Sequence, residues 1–270
     1  MITLTGKRVS EGIVIGRLVF FNRGEREIRK IYVEDAEKEL VRFQKARKRA
    51  ASELQELYDE SAGELGEANA MIFEMQQMVL EDEEFINPVI RTITEQKLNA
   101  EYAVKVSIEN FLKVFSSRAE SYVRGHEADI HDVAARVLRI LSRSRKDRMF
   151  MDEPFIMAAR DLYPSEAVRL DKSKVLGFVT MYGSINSHTA VLARTKGIPS
   201  VIGIGEALKK DYEGKMVIID GFDGKLYIEP DQTTMEKMKE KKKQNLQKVE
   251  TLERLKGKEN ITQSGQKIDV

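Results

Sequence analysis

Between residues 33 and 146 the chain shows one helical period after another and no strand signal, while strand patterns stand on both sides of that block. Ala36, Leu40, Phe43, Ala50, Leu54 and Leu57 recur at three, four or seven residues, with Glu37, Lys45 and Arg49 outside the stripe. That spacing predicts an amphipathic helix over 35–65, stopped near Gly63 and Gly66. A second helix follows through Met71, Ile72, Met75, Met78 and Val79. Asn87-Pro88 predicts a fresh helix start, since proline suits a first turn. Asn99 is a candidate cap for a helix through Ala103, Val106 and Phe111. The last helix of the block runs from about Ala119 to Ser144, with Val133, Val137, Leu138 and Leu141 on one side.

The flanks read differently. Val9, Ile13, Val14, Ile15, Leu18, Val19 and Phe20, punctuated by Gly12, predict opening strands. After Pro154, strands at Phe155–Ala159, Val175–Tyr182, Ser200–Ile204, Lys215–Asp220 and Lys225–Glu229 alternate with short helices at Pro164–Leu170 and His188–Lys196. Strands alternating with helices mean an α/β domain. The opening strands need a sheet to join, and this is the only candidate. The chain is therefore read as an α/β domain discontinuous in sequence, 1–32 with 147–230, interrupted by an all-α insertion at 33–146. Residues 231–257 read as a further helix carrying Met235, Met238, Leu246, Val249, Leu252 and Leu255 near one face, and its Lys239–Lys243 run as a solvated face. Residues 258–270 look like a hairpin that has just begun.

Composition excludes several classes. Among 270 residues, 45 Lys and Arg balance 44 Asp and Glu, which argues against a general nucleic-acid binder. There is no cysteine, hence no disulfide, thiolate metal site or thiol chemistry. Met1–Lys7 lacks a signal-peptide pattern, and no stretch approaches the roughly 18 apolar residues of a membrane helix. A soluble, cytoplasmic protein is the expectation.

The segment richest in chemistry is Gly183-Ser184-Ile185-Asn186-Ser187-His188-Thr189-Ala190, leading through Arg194 to Gly197-Ile198-Pro199. An apolar strand enters a small polar loop, and a histidine opens a helix. The first-turn amides of a helix lack internal partners, and with the helix dipole they favour an anion. The same field disfavours an imidazolium, so the ring keeps a lone pair that can attack phosphorus. Gly183 and Ser184 leave room for a substrate; Ser187 and Thr189 can bond phosphate oxygens or fix the ring tautomer. Glu166 is expected at the same sheet end, as a base, a cap or an ion-pair partner. Arg194 is expected to pair with an acidic group. A histidine at a helix start is also an ordinary surface or capping residue, and the motif alone does not decide.

The segment from His188 to Gly203 resembles the phosphohistidine signature of enzyme I of the bacterial phosphotransferase system, of pyruvate phosphate dikinase and of phosphoenolpyruvate synthase. Further matches single out enzyme I. Val9–Gly16 resembles its opening Ser-Pro-Gly-Ile-Ala-X-Gly, Ile72-Phe73-Glu74 with Leu80–Glu84 its helical insertion, and Asp161-Leu162 with Pro164-Ser165-Glu166 its Asp-Leu-Thr-Pro-Ser-Glu. The likeness runs through the whole chain in order. It implies a swivelling phosphohistidine domain with His188 as nucleophile, supported by Ser187, Thr189, Gly183 and Glu166. It implies a helical insertion on which HPr, a small phosphocarrier protein, docks, and a linker helix leading to a carboxy-terminal barrel that binds phosphoenolpyruvate with Mg2+. Residues 258–270 would begin that barrel. No cofactor or metal is then expected within these 270 residues, which would exchange phosphoryl groups with HPr but not use phosphoenolpyruvate alone. The piece would be a monomer and the full-length relative a homodimer. On the docking surface the resemblance and the methionine pattern together nominate Glu67, Met75, Met78, Val79, Phe85 and His126; the same methionines also read as core at helical spacing. His126 and His131 are poorly spaced for a metal pair.

Departures from the family pattern are Ser184, Ile185 and Asn186 for its second glycine, arginine and threonine, Ala167 for a threonine that orients the histidine, and Glu11 for proline. They keep two alternatives open: a swivelling domain of a dikinase-like protein, and an inactive HPr-binding adaptor.

Overall fold

The computed structural model describes residues 1–23, 27–118, 120–142 and 153–255, with side chains outside 114–126 and 252–255. Strand β3 (Ile13–Phe20) and strand β4 (Phe155–Ala159) are parallel neighbours, pairing from Arg17 with Phe155 to Phe20 with Ala158. Parallel neighbours need a long crossover. Here it is the whole helical block: α1 (Ala36–Leu65), α2 (Glu67–Glu81), α3 (Glu83–Thr94), α4 (Ala100–Arg118) and α5 (Glu120–Leu141).

The sheet has eight strands, β1 (Ile2–Thr5), β2 (Lys7–Ser10), β3, β4, β5 (Val175–Thr180), β6 (Ser200–Ile202), β7 (Met216–Asp220) and β8 (Lys225–Ile228), in the order β1-β8-β7-β3-β4-β5-β6-β2. Strands β3 to β6 run parallel; β7, β8 and β1 continue antiparallel on one side, and β2 closes the other antiparallel to β6. β4 is buried throughout, as a central strand covered on both faces must be. Its Phe155 and Met157 join a cluster with Phe43, Leu54, Phe73, Val133 and Leu192. Its Ile156 and Ala158 face the other way, with Val179, Ile219 and Leu226. The first cluster runs unbroken from the helical block into the sheet, and Met1–Glu229 is one compact unit. Gly12 (φ +135°) makes a close approach: a Cβ there would lie 2.6 Å from Pro199 Cγ, so the turn after β2 packs against the Gly-Ile-Pro turn.

Several boundaries differ from the sequence reading. Asn87-Pro88 does not start a helix. Asp82 caps α3, accepting from the Glu84 amide at 2.7 Å, and Pro88 lies inside it. The Asp82 carboxylate serves an orphan first-turn amide, while Pro88 inside the helix forfeits one backbone bond. Asn99 stands at the start of α4, but its Oδ1 accepts from Ile31 N at 3.0 Å; the Ala100 amide is served by Glu39 Oε1 of α1 at 2.6 Å. Helix α6 is Pro164–Ala167, shorter than expected, because Val168 already hydrogen-bonds back as its cap. The last helix before the sheet ends at Leu141 within the described residues, and the expected boundary near 147 and the hairpin at 258–270 lie outside them.

Residues from Pro230 onward form a second unit. Its helix α8 (Gln232–Leu255) begins at Asp231, whose Oδ1 accepts from Thr234 N at 2.8 Å. Leu246 and Val249 are exposed on it.

Candidate functional site

The carboxyl ends of β4 and β5 lie side by side, and the loops leaving them hold the candidate site residues, at the strand ends where open α/β sheets place their sites. From β5 the chain enters Gly183 (φ +118°) and reaches α7 (His188–Lys196). Ser187 caps α7: its Oγ accepts from Ala190 N at 3.2 Å and donates to Ser184 O at 2.8 Å. Gly197, left-handed, ends the helix. His188 is thus the first residue of α7, its side chain 29 % exposed.

A partner the sequence did not announce faces the ring. His188 Nδ1 lies 2.9 Å from Asp129 Oδ2 of α5. An ionised carboxylate only accepts, so the proton sits on Nδ1 and the lone pair falls on Nε2. The two groups come from opposite sides of the fold's main seam, one from the inserted helices and one from the sheet domain.

That seam is polar along its length. Asp132, one turn beyond Asp129, accepts from Ser165 Oγ at 2.6 Å, from Ser165 N at 2.9 Å and from Gln76 Nε2 at 3.2 Å. Gln76, buried on α2, also reaches Asp129 O at 3.3 Å. Lys196, buried at the end of α7, donates to Val168 O at 2.5 Å and pairs with Glu64 of α1 at 3.2 Å. Beside it, Arg23 grips both oxygens of Glu166 at 2.6 and 2.7 Å and stacks 3.5 Å over the Tyr163 ring. Burial raises the Glu166 pKa above the ordinary carboxylate range, with Arg23 pulling it back. Burial likewise raises Asp161, against the Leu162 amide and Arg23. The Arg23 guanidinium, which burial alone would lower, is held up by Glu166.

Ser187 and Thr189 flank His188 in the chain, Gly183 lies in the loop before α7 near Asp161 and Thr180, and the hydrogen bonds of Ser187, Thr189 and Glu166 go elsewhere than to the ring. Ser187 spends its hydroxyl on the cap and the Ser184 carbonyl. Thr189 is buried and donates to Leu162 O at 2.7 Å, fixing α7 to the Asp161–Leu162 loop. Glu166 serves Arg23 and the Tyr163 amide at 2.8 Å. Arg194 pairs with no carboxylate among the described residues; it reaches back along α7 to Ile185 O at 3.1 Å and holds the loop. Ala167 is buried, and the contact to the His188 ring comes from Asp129.

On the nominated docking face, α2 turns Ile72, Phe73, Gln76 and Leu80 inward and leaves Met71, Met75 and Met78 exposed, Met78 at 62 %. Glu67 is exposed and Val79 half-buried. Phe85 is a correction: it is fully buried in the helical core, because the α3 face that Asp82 sets packs inward. His126 lies in α5, its side chain outside the described residues; His131 stands 3.7 Å from Glu127. No three His, Asp or Glu side chains among the described residues gather as a metal site, and no described helix is long and apolar enough to cross a membrane.

The sequence reading missed Asp129, Asp132, Arg23 and Gln76. The available signal was Asp129 and Asp132 three apart within the apolar pattern of Ile130, Val133 and Val137, where a carboxylate needs a partner.

Comparison with known proteins adds the family. The model for "PEP-utilising enzyme, N-terminal" matches residues 5–125, and that for "PEP-utilising enzyme, mobile domain" matches 151–224. The phosphoenolpyruvate-protein phosphotransferase of Priestia megaterium is 33% identical over 239 residues, 88% of this chain and 42% of the relative. That of Bacillus subtilis (strain 168) is 31% identical over 268 residues, 99% of this chain and 47% of the relative. The chain therefore spans about half the length of the curated relatives it matches. A solution NMR structure of Enzyme I (nEIt) is 32% identical with a TM-score of 0.68, covering 90% of this chain and 99% of that one. An N-terminal domain of Enzyme 1 - Nitrogen, 22% identical with a TM-score of 0.57, shares the fold.

Proposed function

The chain belongs to the PEP-utilising enzymes, matching the amino-terminal part of enzyme I, the phosphoenolpyruvate-protein phosphotransferase, and from that premise we propose that it carries a phosphoryl group on Nε2 of His188 and exchanges it with a histidine phosphocarrier of the HPr kind. One observation carries the reading: the first residue of α7 is a histidine whose Nδ1 is held by a carboxylate. The Nε2 lone pair attacks the phosphorus of the carrier's phosphohistidine. A P–N bond forms on His188 as the carrier's P–N bond breaks, and that electron pair returns to the carrier's imidazole. The attack leaves positive charge on the His188 ring, which the Asp129 carboxylate stabilises through the Nδ1–H bond. Asp129 touches the reacting ring and does not itself take up the phosphoryl group.

The carrier docks on the exposed methionine face of α2, with Glu67 at its rim; apolar, adaptable methionines suit such a contact. Phosphoenolpyruvate and Mg2+ fall, in this proposal, to the portion of the relatives beyond the match, and the α/β domain swivels between the two exchanges. The chain on its own acts as a monomer in the cytoplasm.

The test is incubation with radiolabelled phospho-HPr. The expected product is an acid-labile, base-stable label on the chain, abolished in His188→Ala, and no label from phosphoenolpyruvate alone. Binding of HPr without label would instead make the chain an adaptor.

A further inference from the structure

Gln76 lies on the inner face of α2, 1 % exposed, while Met75 and Met78 of the same helix face outward. Its Nε2 is aimed at one turn of α5, 3.3 Å from Asp129 O and 3.2 Å from Asp132 Oδ2. Both targets are acceptors, a backbone carbonyl and a carboxylate, so the amide meets them nitrogen first. Asp129 and Asp132 are three apart and share a face of α5. That one turn presents the first to His188 Nδ1 at 2.9 Å and the second to Ser165 Oγ at 2.6 Å.

The arrangement leaves Gln76 Oε1 buried with no hydrogen-bond partner among the described residues. A buried acceptor without a partner is destabilising, and an apolar side chain of similar length would fill the same space without it. Asp132 keeps two donors from Ser165 in either case. Packing alone therefore favours another residue at 76. What the amide adds is a donor on the backbone of the turn that carries Asp129. Ser165 holds this turn from the sheet side and Gln76 holds it from the helical side. The Asp129 bond to the ring depends on that placement, because hydrogen bonds weaken steeply as their geometry is lost.

We infer that Gln76 is a positioning residue. By donating to Asp129 O and Asp132 Oδ2 it sets the α5 turn so that Asp129 meets His188 Nδ1 and the lone pair stays on Nε2. The inference deepens the phosphoryl-transfer reading and rests on it for the kinetics, but not for the state of the ring. The helix that places the carboxylate is then the one whose outer face is the proposed carrier-docking surface.

The test is Gln76→Met in the 270-residue chain, with two readouts. Ring 15N shifts of His188, taken at about pH 8.5, above the reference histidine pKa, report which nitrogen carries the proton. The parent is expected as Nδ1–H and the variant as a mixture with Nε2–H. Single-turnover transfer from phospho-HPr is expected to slow by about three- to tenfold, with the half-saturating phospho-HPr concentration changed by less than about twofold. In an Asp129→Ala background, Gln76→Met is expected to slow transfer no further, a dependence that a role in packing alone would not produce. A parent ring protonated on Nε2, an unchanged ring in Gln76→Met, or equal slowing in the two backgrounds would overturn the inference. If Gln76→Met does not fold, Gln76→Asn, which draws the amide back by one methylene, is judged by the same criteria. A parent that accepts no phosphoryl group would sink the transfer reading, while the ring measurement still decides on Gln76.

Discussion

Two surfaces hold His188: the loop and helix start that carry it, and the face of α5 that meets it. On the α7 side the side chains are turned to the backbone. Ser187 caps the helix, Thr189 ties it to the Leu162 carbonyl and Arg194 closes the Ile185 carbonyl. On the α5 side they are turned across the seam, Asp129 to the ring and Asp132 to Ser165. The first surface fixes where the histidine stands; the second fixes which ring nitrogen faces the carboxylate and which, in the proposed transfer, would attack. Position is set by local chain geometry and electronics by a residue 59 positions away.

The sharpest way to break that division is at Asp129. Removing the carboxylate in Asp129→Ala leaves His188 at the head of α7 but frees the tautomer and withdraws the counter-charge. A charge-assisted hydrogen bond is worth about 1.5–3 kcal/mol, so transfer from phospho-HPr is expected to fall by roughly 10- to 100-fold. Asp129→Asn keeps an acceptor for Nδ1–H without the charge and is expected to recover part of that loss. Equal rates for the parent and the alanine variant would show that the loop alone suffices.

This division also explains what could be read in advance. Helix α7 was legible, since Gly197 followed by Pro199 is a stop signal that acts within a few positions; that Ser187 is its cap was not read. The interruption between β3 and β4 was legible because a helical period and a strand period cannot be confused over so long a block. The α3 start was misread because Pro88 is a conspicuous signal, while Asp82, an equally good cap, sits in an acidic run that reads as solvated surface. The spacing of Asp129 and Asp132 on an apolar face signals that they need partners, but nothing in their own neighbourhood names a histidine in α7 or a serine in α6. Phe85 went wrong for a related reason: helical spacing shows that a face is apolar, not whether it meets the core or a partner.

Asp132 tests the same seam through stability. It accepts from Ser165 twice and from Gln76, so Asp132→Ala leaves buried donors without acceptors and is expected to cost about 2–4 kcal/mol. Denaturant midpoints measure it. A change below about 0.5 kcal/mol would mean that the seam is not held together by this carboxylate.

The docking proposal sharpens the contrast between α2 and α3. Met78→Asp, at an exposed position, is expected to leave the melting temperature within error while weakening HPr binding about tenfold, read by calorimetry. Phe85→Ala, in the core, is expected to do the reverse: a loss of about 3–5 kcal/mol in stability with HPr affinity unchanged in the folded fraction. Met78→Asp with full affinity would move the carrier off this face.

The smallest effect concerns Asp161, which belongs to the sheet side but touches neither the ring nor Asp132 directly. Burial is the main influence on it and raises its pKa; the Leu162 amide and Arg23 oppose without cancelling. A carboxyl whose folded pKa lies above its unfolded value is better accommodated as the acid. Its favourable contribution is present at pH values below the unfolded value and is lost as the pH rises through the folded pKa. Asp161→Asn removes that penalty and keeps an oxygen for the Leu162 amide, which Oδ1 accepts at 2.7 Å. The variant is therefore expected to melt slightly higher than the parent at pH 8, with the gap closing as the pH falls into the ordinary carboxylate range. A lower melting temperature at pH 8 would mean that attraction to Arg23 outweighs desolvation, and that Asp161 acts as a second counter-charge beside Glu166.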